Sequence, residues 1–70
     1  IELSGFSDSV GSFRANHQLA SQRVEKVRDY FIQNGIDEKM LRLKVYGEMR
    51  AIAPNSTPEG RAKNRRVSIK

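Results

Sequence analysis

Seventy residues provide for one small domain. There is no cysteine, which excludes a disulfide framework, a cysteine nucleophile and a cysteine-based zinc site. Hydrophobic residues make up 37% of the chain, and no uncharged apolar run approaches the roughly 18 residues of a membrane span. The net charge is +5, yet residues 1–60 carry eight basic and eight acidic side chains. Arg61, Lys63, Arg65, Arg66 and Lys70 therefore supply the whole surplus and nominate residues 61–70 as a candidate phosphate-binding segment. No basic region followed by an apolar core marks a signal peptide, so the expectation is either a cytoplasmic chain or a fragment whose targeting segment lies elsewhere.

Ile1-Glu2-Leu3-Ser4 alternates apolar and polar and stops at Gly5, which predicts a short first strand. Phe6 to Ala15 reads as a polar loop, with Ser7, Asp8, Ser9, Gly11 and Ser12 supplying turn chemistry. From about Asn16 the period changes: Ala20, Val24, Val27 and Phe31 recur at helical steps and define a buried stripe. Asn16 is the expected N-cap, and Asn34-Gly35 ends the helix, because Gly adopts the left-handed conformation at little cost. Leu41 to Tyr46 alternates again up to Gly47. A strand, a helix and a strand predict a βαβ unit with parallel strands and a right-handed crossover. After a loop over residues 51–56, Thr57 as N-cap and Pro58 at the first helical position start a short helix that ends near Asn64. Arg66-Val67-Ser68-Ile69 is the last strand. The expected fold is α+β, a single domain over residues 1–70 with a mixed sheet and its helices on one face.

Catalytic readings find little support. His17 is the only histidine, and although Ser7 or Ser9, His17 and Asp8 spell a nucleophilic triad on paper, a serine-rich loop beside one histidine is common by chance. No helix carries two histidines at metal spacing, and no glycine-rich phosphate loop is present. The informative pair is Asp8, just beyond the first strand, and Arg23 on the following helix. Ligands of open α/β sheets tend to bind in the crevice outside the carboxyl ends of the strands. On a helical wheel Arg23 flanks the buried stripe and can reach back over the loop that holds Asp8. An acid and a guanidinium at one crevice suit a zwitterion: the acid accepts from an ammonium and the guanidinium grips a carboxylate. Spacing alone favours the plainer alternative, that Asp8 and Arg23 pair with each other or cap the helix.

At these residues the chain resembles the OmpA-like peptidoglycan-binding domain of OmpA C-terminal regions, Pal lipoproteins and MotB-type stators. Gly5-Phe6-Ser7-Asp8-Ser9-Val10-Gly11 is similar to that family's strand–loop signature of Gly, His-Thr-Asp, a small residue and Gly. Asn16-His17-Gln18-Leu19-Ala20-Ser21-Gln22-Arg23-Val24 resembles its Asn-x-x-Leu-Ser-x-x-Arg-Ala helix start. Tyr46-Gly47-Glu48 resembles its Gly-Tyr-Gly-Glu turn, with Val45 in place of the first Gly, and Ile52 to Thr57 resembles the loop that follows. Glu59-Gly60-Arg61-Ala62-Lys63-Asn64-Arg65-Arg66-Val67 is similar to its most recognisable run. These blocks stand in register over essentially the whole chain.

The resemblance implies non-catalytic binding of peptidoglycan, with no cofactor or metal. Asp8 would take the ammonium and Arg23 the carboxylate of the diaminopimelate residue in the stem peptide, with Ser7, Asn16, Leu19 and Arg65 lining the pocket. It also implies a periplasmic setting, attached to the outer or inner membrane through a region outside this chain. Phe6 replaces the family's His, Ala20 its Ser and Val24 its Ala; none removes a charge from the clamp. Family domains carry a further strand and helix ahead of the segment that opens at Ile1. That implies a fragment, or else an apolar face covered by a partner such as a second copy. The alternatives are nucleic-acid binding through residues 61–70 and a protein-interaction module. The first is disfavoured because Phe6, Phe13, Tyr30, Phe31 and Tyr46 lie outside the basic run, leaving it without stacking platforms.

Overall fold

A computed structural model describes all 70 residues. Strand β1 (Glu2–Phe6) leads into helix α1 (Phe13–Gln33), a short 3₁₀ turn (Glu38–Met40), strand β2 (Arg42–Gly47), helix α2 (Pro58–Asn64) and strand β3 (Val67–Ile69). The sheet order is β2-β1-β3. β1 pairs parallel with β2, Leu3 opposite Leu43, and antiparallel with β3, Ser4 opposite Ser68. The architecture is the expected mixed three-stranded α+β fold. One strand is parallel and one antiparallel to β1 because the β1–β2 link carries a long helix, whereas the short α2 returns the chain beside its own loop.

Three local expectations need correction. β1 runs through Gly5 to Phe6, because at Gly5 the backbone of α1 presses on the sheet: a Cβ there would stand 2.5 Å from the Ala20 carbonyl oxygen. Only glycine permits so close an approach. The N-cap of α1 is Ser12, whose Oγ accepts from the Ala15 N–H at 3.0 Å. Nothing in Phe13-Arg14-Ala15 breaks a helix, so α1 begins one turn early and Asn16 lies inside its first turn. Val27 and Phe31, expected in the core, are only half-buried, while Ala20 and Val24 are fully buried. The reason is length. A helix of 21 residues extends about 31 Å, a strand of six about 20 Å, so the C-terminal third of α1 outruns the sheet. The molecule's long axis of 39 Å reflects that overhang. Elsewhere the local chemistry holds: Gly35 follows the helix with φ of 93°, and Thr57 caps α2 through the Gly60 N–H at 3.0 Å.

α1 covers one face of the sheet, over Leu3 and Gly5. On the other face Phe6 stacks against Tyr46, with ring centroids 5.2 Å apart. Arg66 lies 3.7 Å above the Phe6 ring and Arg50 4.3 Å above that of Tyr46. Burial lowers the pKa of the Arg66 guanidinium from its usual value, yet it stays cationic at neutral pH. No helix is long and apolar enough to cross a membrane.

Candidate functional site

The loop after β1 carries Ser7 and Asp8, and both are held by the backbone around them. The Ser7 N–H donates to the Gly47 carbonyl at 2.7 Å, continuing the β1–β2 ladder past the strand ends. Its hydroxyl donates to the Asp8 carbonyl at 2.9 Å. Asp8 Oδ1 accepts from the Val10 N–H at 3.0 Å, a two-residue Asx turn that fixes the carboxylate. Asp8 Oδ2 accepts from Arg65 Nη1 at 2.7 Å. A carboxylate has about four acceptor positions, so two such bonds leave Asp8 able to receive another donor.

The ion pair that forms is therefore Asp8–Arg65, not Asp8–Arg23, and Ser12 caps the helix in place of Asp8. Arg23 is half-buried beside the same loop, with Nη1 donating to the Phe6 carbonyl at 3.3 Å. That is its side chain's single hydrogen bond within the chain, and its remaining guanidinium donors are uncommitted. Burial works against ionisation of Asp8 and is the largest single influence on it. The Arg65 hydrogen bond, the Val10 N–H and the charges of Arg65 and Arg23 together outweigh it and hold the carboxyl below its ordinary 3.8. Asp8 is thus an anion at neutral pH, facing two guanidiniums from two different elements.

Asn16 is 2% exposed, and its Nδ2 is buried without a hydrogen-bond partner. An orphaned amide of this kind costs about 1–3 kcal/mol, so the loop side of α1 holds an unused donor. Leu19 lies one helical turn on and is 46% exposed. The structure thus gathers Asp8, Ser7 and Arg65 into one bonded cluster at the C-terminal end of β1, with Arg23 bonded to Phe6, the last residue of that strand. Asn16 is buried beside that loop, and Leu19 stands outside on the exposed side of the helix. The hydroxyl and N–H of Ser7 are both spent on backbone carbonyls, so Ser7 shapes the loop.

Sequence reasoning missed the two residues that brace this cluster. Asn64, wholly buried at the end of α2, accepts the Ile52 and Ala53 N–H groups at 2.9 and 3.1 Å and donates to the Ala53 carbonyl and to Asn55 Oδ1 at 2.9 Å. Asn55 Oδ1 also accepts from the Ser9 N–H at 3.3 Å, while Arg61 Nη1 donates to the Asn55 carbonyl at 3.0 Å. Gly60 allows this packing, since a Cβ there would collide with the Pro54 carbonyl. The chain α2–Asn64–Asn55–Ser9 ties the loop that carries Asp8 to the helix end that delivers Arg65. The only signal was two polar residues, in a loop and at a helix end, which alone announce no contact between them.

The basic run over 61–70 does not form one surface. Arg61 is turned to Asn55, Arg65 to Asp8, Arg66 to the Phe6 ring, and Lys70 stands at the end of β3. The helix end and the strand alternation send neighbouring side chains in different directions.

The OmpA family profile matches residues 1–65. The peptidoglycan-binding protein ArfA of Mycobacterium tuberculosis is 41% identical over 69 residues, covering 99% of this chain and 21% of that protein. The probable lipoprotein YiaD of Escherichia coli is 39% identical over 69 residues, covering 99% of this chain and 32% of that one. Among solved structures, the C-terminal domain of Helicobacter pylori MotB superposes with a TM-score of 0.87 at 36% identity, over 96% of this chain and 52% of that one. The chain thus spans a fifth to a third of these curated relatives and about half of the solved domain.

Proposed function

The chain belongs to the OmpA family, and on that footing we propose that it binds peptidoglycan without catalysis, through the zwitterionic end of diaminopimelate in the stem peptide. The observation that carries the reading is the meeting of one ionised acid with two guanidiniums at the C-terminal end of β1, where Arg23 keeps most of its donors free. In this reading the ligand ammonium donates to the acceptor positions that Asp8 has left, and its carboxylate takes the free fork of Arg23. Arg65 holds Asp8 in place and screens it until the ligand arrives. The unpartnered Asn16 amide offers a further donor for a ligand oxygen, and exposed Leu19 offers apolar contact to the rest of the stem. The setting that goes with this function is the periplasm, with attachment to an envelope membrane through a region outside these residues.

Titration with a diaminopimelate muropeptide tests the reading. Asp8→Ala and Arg23→Ala should each weaken binding by about 10- to 100-fold, the worth of one charge-assisted contact. A muropeptide with lysine in place of diaminopimelate lacks the second carboxylate and should bind about as weakly to the parent as the diaminopimelate form binds to Arg23→Ala. Unchanged affinity in both variants would overturn the clamp.

A further inference from the structure

The sheet face opposite α1 is not an apolar surface awaiting a helix. Strand register places its side chains in three rows. Arg42, Glu2 and Lys70 form the first, Lys44, Ser4 and Ser68 the second, and Tyr46, Phe6 and Arg66 the third. Arg50 adds itself at the end of the third row, over the Tyr46 ring. Five cations and one acid thus share this face, while the rest of the molecule holds eight basic and seven acidic side chains. Four of the five surplus charges sit here, drawn from both halves of the chain. The one acid, Glu2, is already paired with Lys44 at 3.5 Å.

The face is also shaped. Ser4, Ser68, Phe6, Tyr46, Arg50 and Lys70 line a concavity of about 370 Å³, with Glu2 and Ile69 completing its wall. The Ser4 and Ser68 hydroxyls, opposite each other across the β1–β3 pair, make no hydrogen bond within the chain. Arg50 is the one non-glycine residue with positive φ, at 62°, a conformation that costs about 1–2 kcal/mol. It sets one guanidinium of the rim over Tyr46, as Arg66 sets another over Phe6.

We propose that this face docks an extended acidic polypeptide segment, which lays its carboxylates along the cation rows and over the two free hydroxyls. Charge complementarity points to an anionic partner. Spacing points to a peptide: alternate residues of an extended chain repeat every 6.6–7 Å or so, as Arg42 and Lys44 do along β2 and Arg66, Ser68 and Lys70 do along β3. Single-stranded nucleic acid needs free aromatic faces for its bases. Here Phe6 is 6% exposed, stacked on Tyr46 and covered by Arg66, and Arg50 covers Tyr46. A lipid surface is held by several aliphatic or aromatic side chains that enter it, whereas Ile69 is the one aliphatic residue lining this concavity and the rings of Phe6 and Tyr46 are occupied. The surface shares no lining residue with the Asp8–Arg65–Arg23 cluster, so it stands or falls independently of the muropeptide reading.

The test is binding of a fluorescein-labelled Glu–Ser repeat peptide, read by fluorescence anisotropy, against oligothymidylate and phosphatidylglycerol vesicles as competing probes. The double variant Lys44→Glu/Lys70→Glu should lose at least about tenfold in peptide affinity. Lys26→Glu/Lys63→Glu makes the same change in net charge on other surfaces and should lose less than about twofold. Muropeptide affinity and the circular dichroism spectrum, which report the Asp8 cluster and the fold, should match the parent in both variants. Equal loss of peptide binding in the two double variants would show that net charge alone attracts the peptide and would overturn the proposal. Tighter binding of oligothymidylate or vesicles than of the peptide would overturn it as well.

Discussion

The Asp8 cluster beyond β1 and the open face of the sheet both gather arginines, but in opposite ways. In the cluster one buried acid is bonded to one guanidinium and lies near a second, the groups being placed by a loop, a helix end and the middle of α1. On the open face the cations are spread by strand alternation, with little acid to oppose them, and two of the arginines rest on aromatic rings. The first arrangement is specific and locally neutralised, suited to a small zwitterion. The second is a field, suited to a chain of negative charges. The chain's net charge therefore says little about the Asp8 cluster and nearly everything about the sheet face.

That contrast can be broken most forcefully at Asn64. Asn64→Ala leaves the Ile52 and Ala53 N–H groups and the Ala53 carbonyl without their partner, which should lower stability by about 3 kcal/mol in a urea titration. Because the same residue braces the Asp8 loop, muropeptide affinity should fall too, measured well below the melting temperature. Acidic-peptide affinity on the sheet face should hold.

Arg23→Lys is a sharper probe. It keeps the charge and removes the planar fork, so muropeptide binding should weaken by about 1–2 kcal/mol with the melting temperature nearly unchanged. Equal affinity of Lys and Arg at this position would mean that the Asp8 cluster reads charge alone, as proposed for the sheet face. Tyr46→Leu tests the other side. It removes the stack with Phe6 and the cation–π contact with Arg50, at a cost of about 1 kcal/mol in stability, and should leave the muropeptide affinity as it was.

The smallest effect is the dependence on pH. The folded-state pKa of Asp8 lies below its ordinary 3.8. Its contribution to stability is then fully present above 3.8 and is lost as pH falls through the lower folded value. NMR titration of the Asp8 carboxyl should give a midpoint below 3.8, and Arg65→Ala should move that midpoint upward. An unmoved midpoint would mean that Arg65 does not hold the acid.

Much of the fold was legible in local chemistry. The period of two in Leu41 to Tyr46, the stripe of Ala20 and Val24, the Asn34-Gly35 stop and the Thr57-Pro58 start each announce an element from its own residues. Where the reading erred, competition decided. Ser12 and Asn16 are both competent caps, and nothing in the intervening residues says which turn begins the helix. Val27 and Phe31 carry the helical period but lack a sheet beneath them.

The sequence by itself therefore determined the elements, their order and the two candidate residues Asp8 and Arg23, because caps, turns and periodicity act over a few residues. Only the tertiary structure decided which base meets the acid: Arg65 stands 57 positions from Asp8, and the antiparallel return of β3 brings them together. It also decided where the surplus charge goes. A basic run in sequence is scattered by the end of α2 and the alternation of β3, while cations from β2, the following turn and β3 collect on one face, since pairing between strands joins residues that the chain keeps apart.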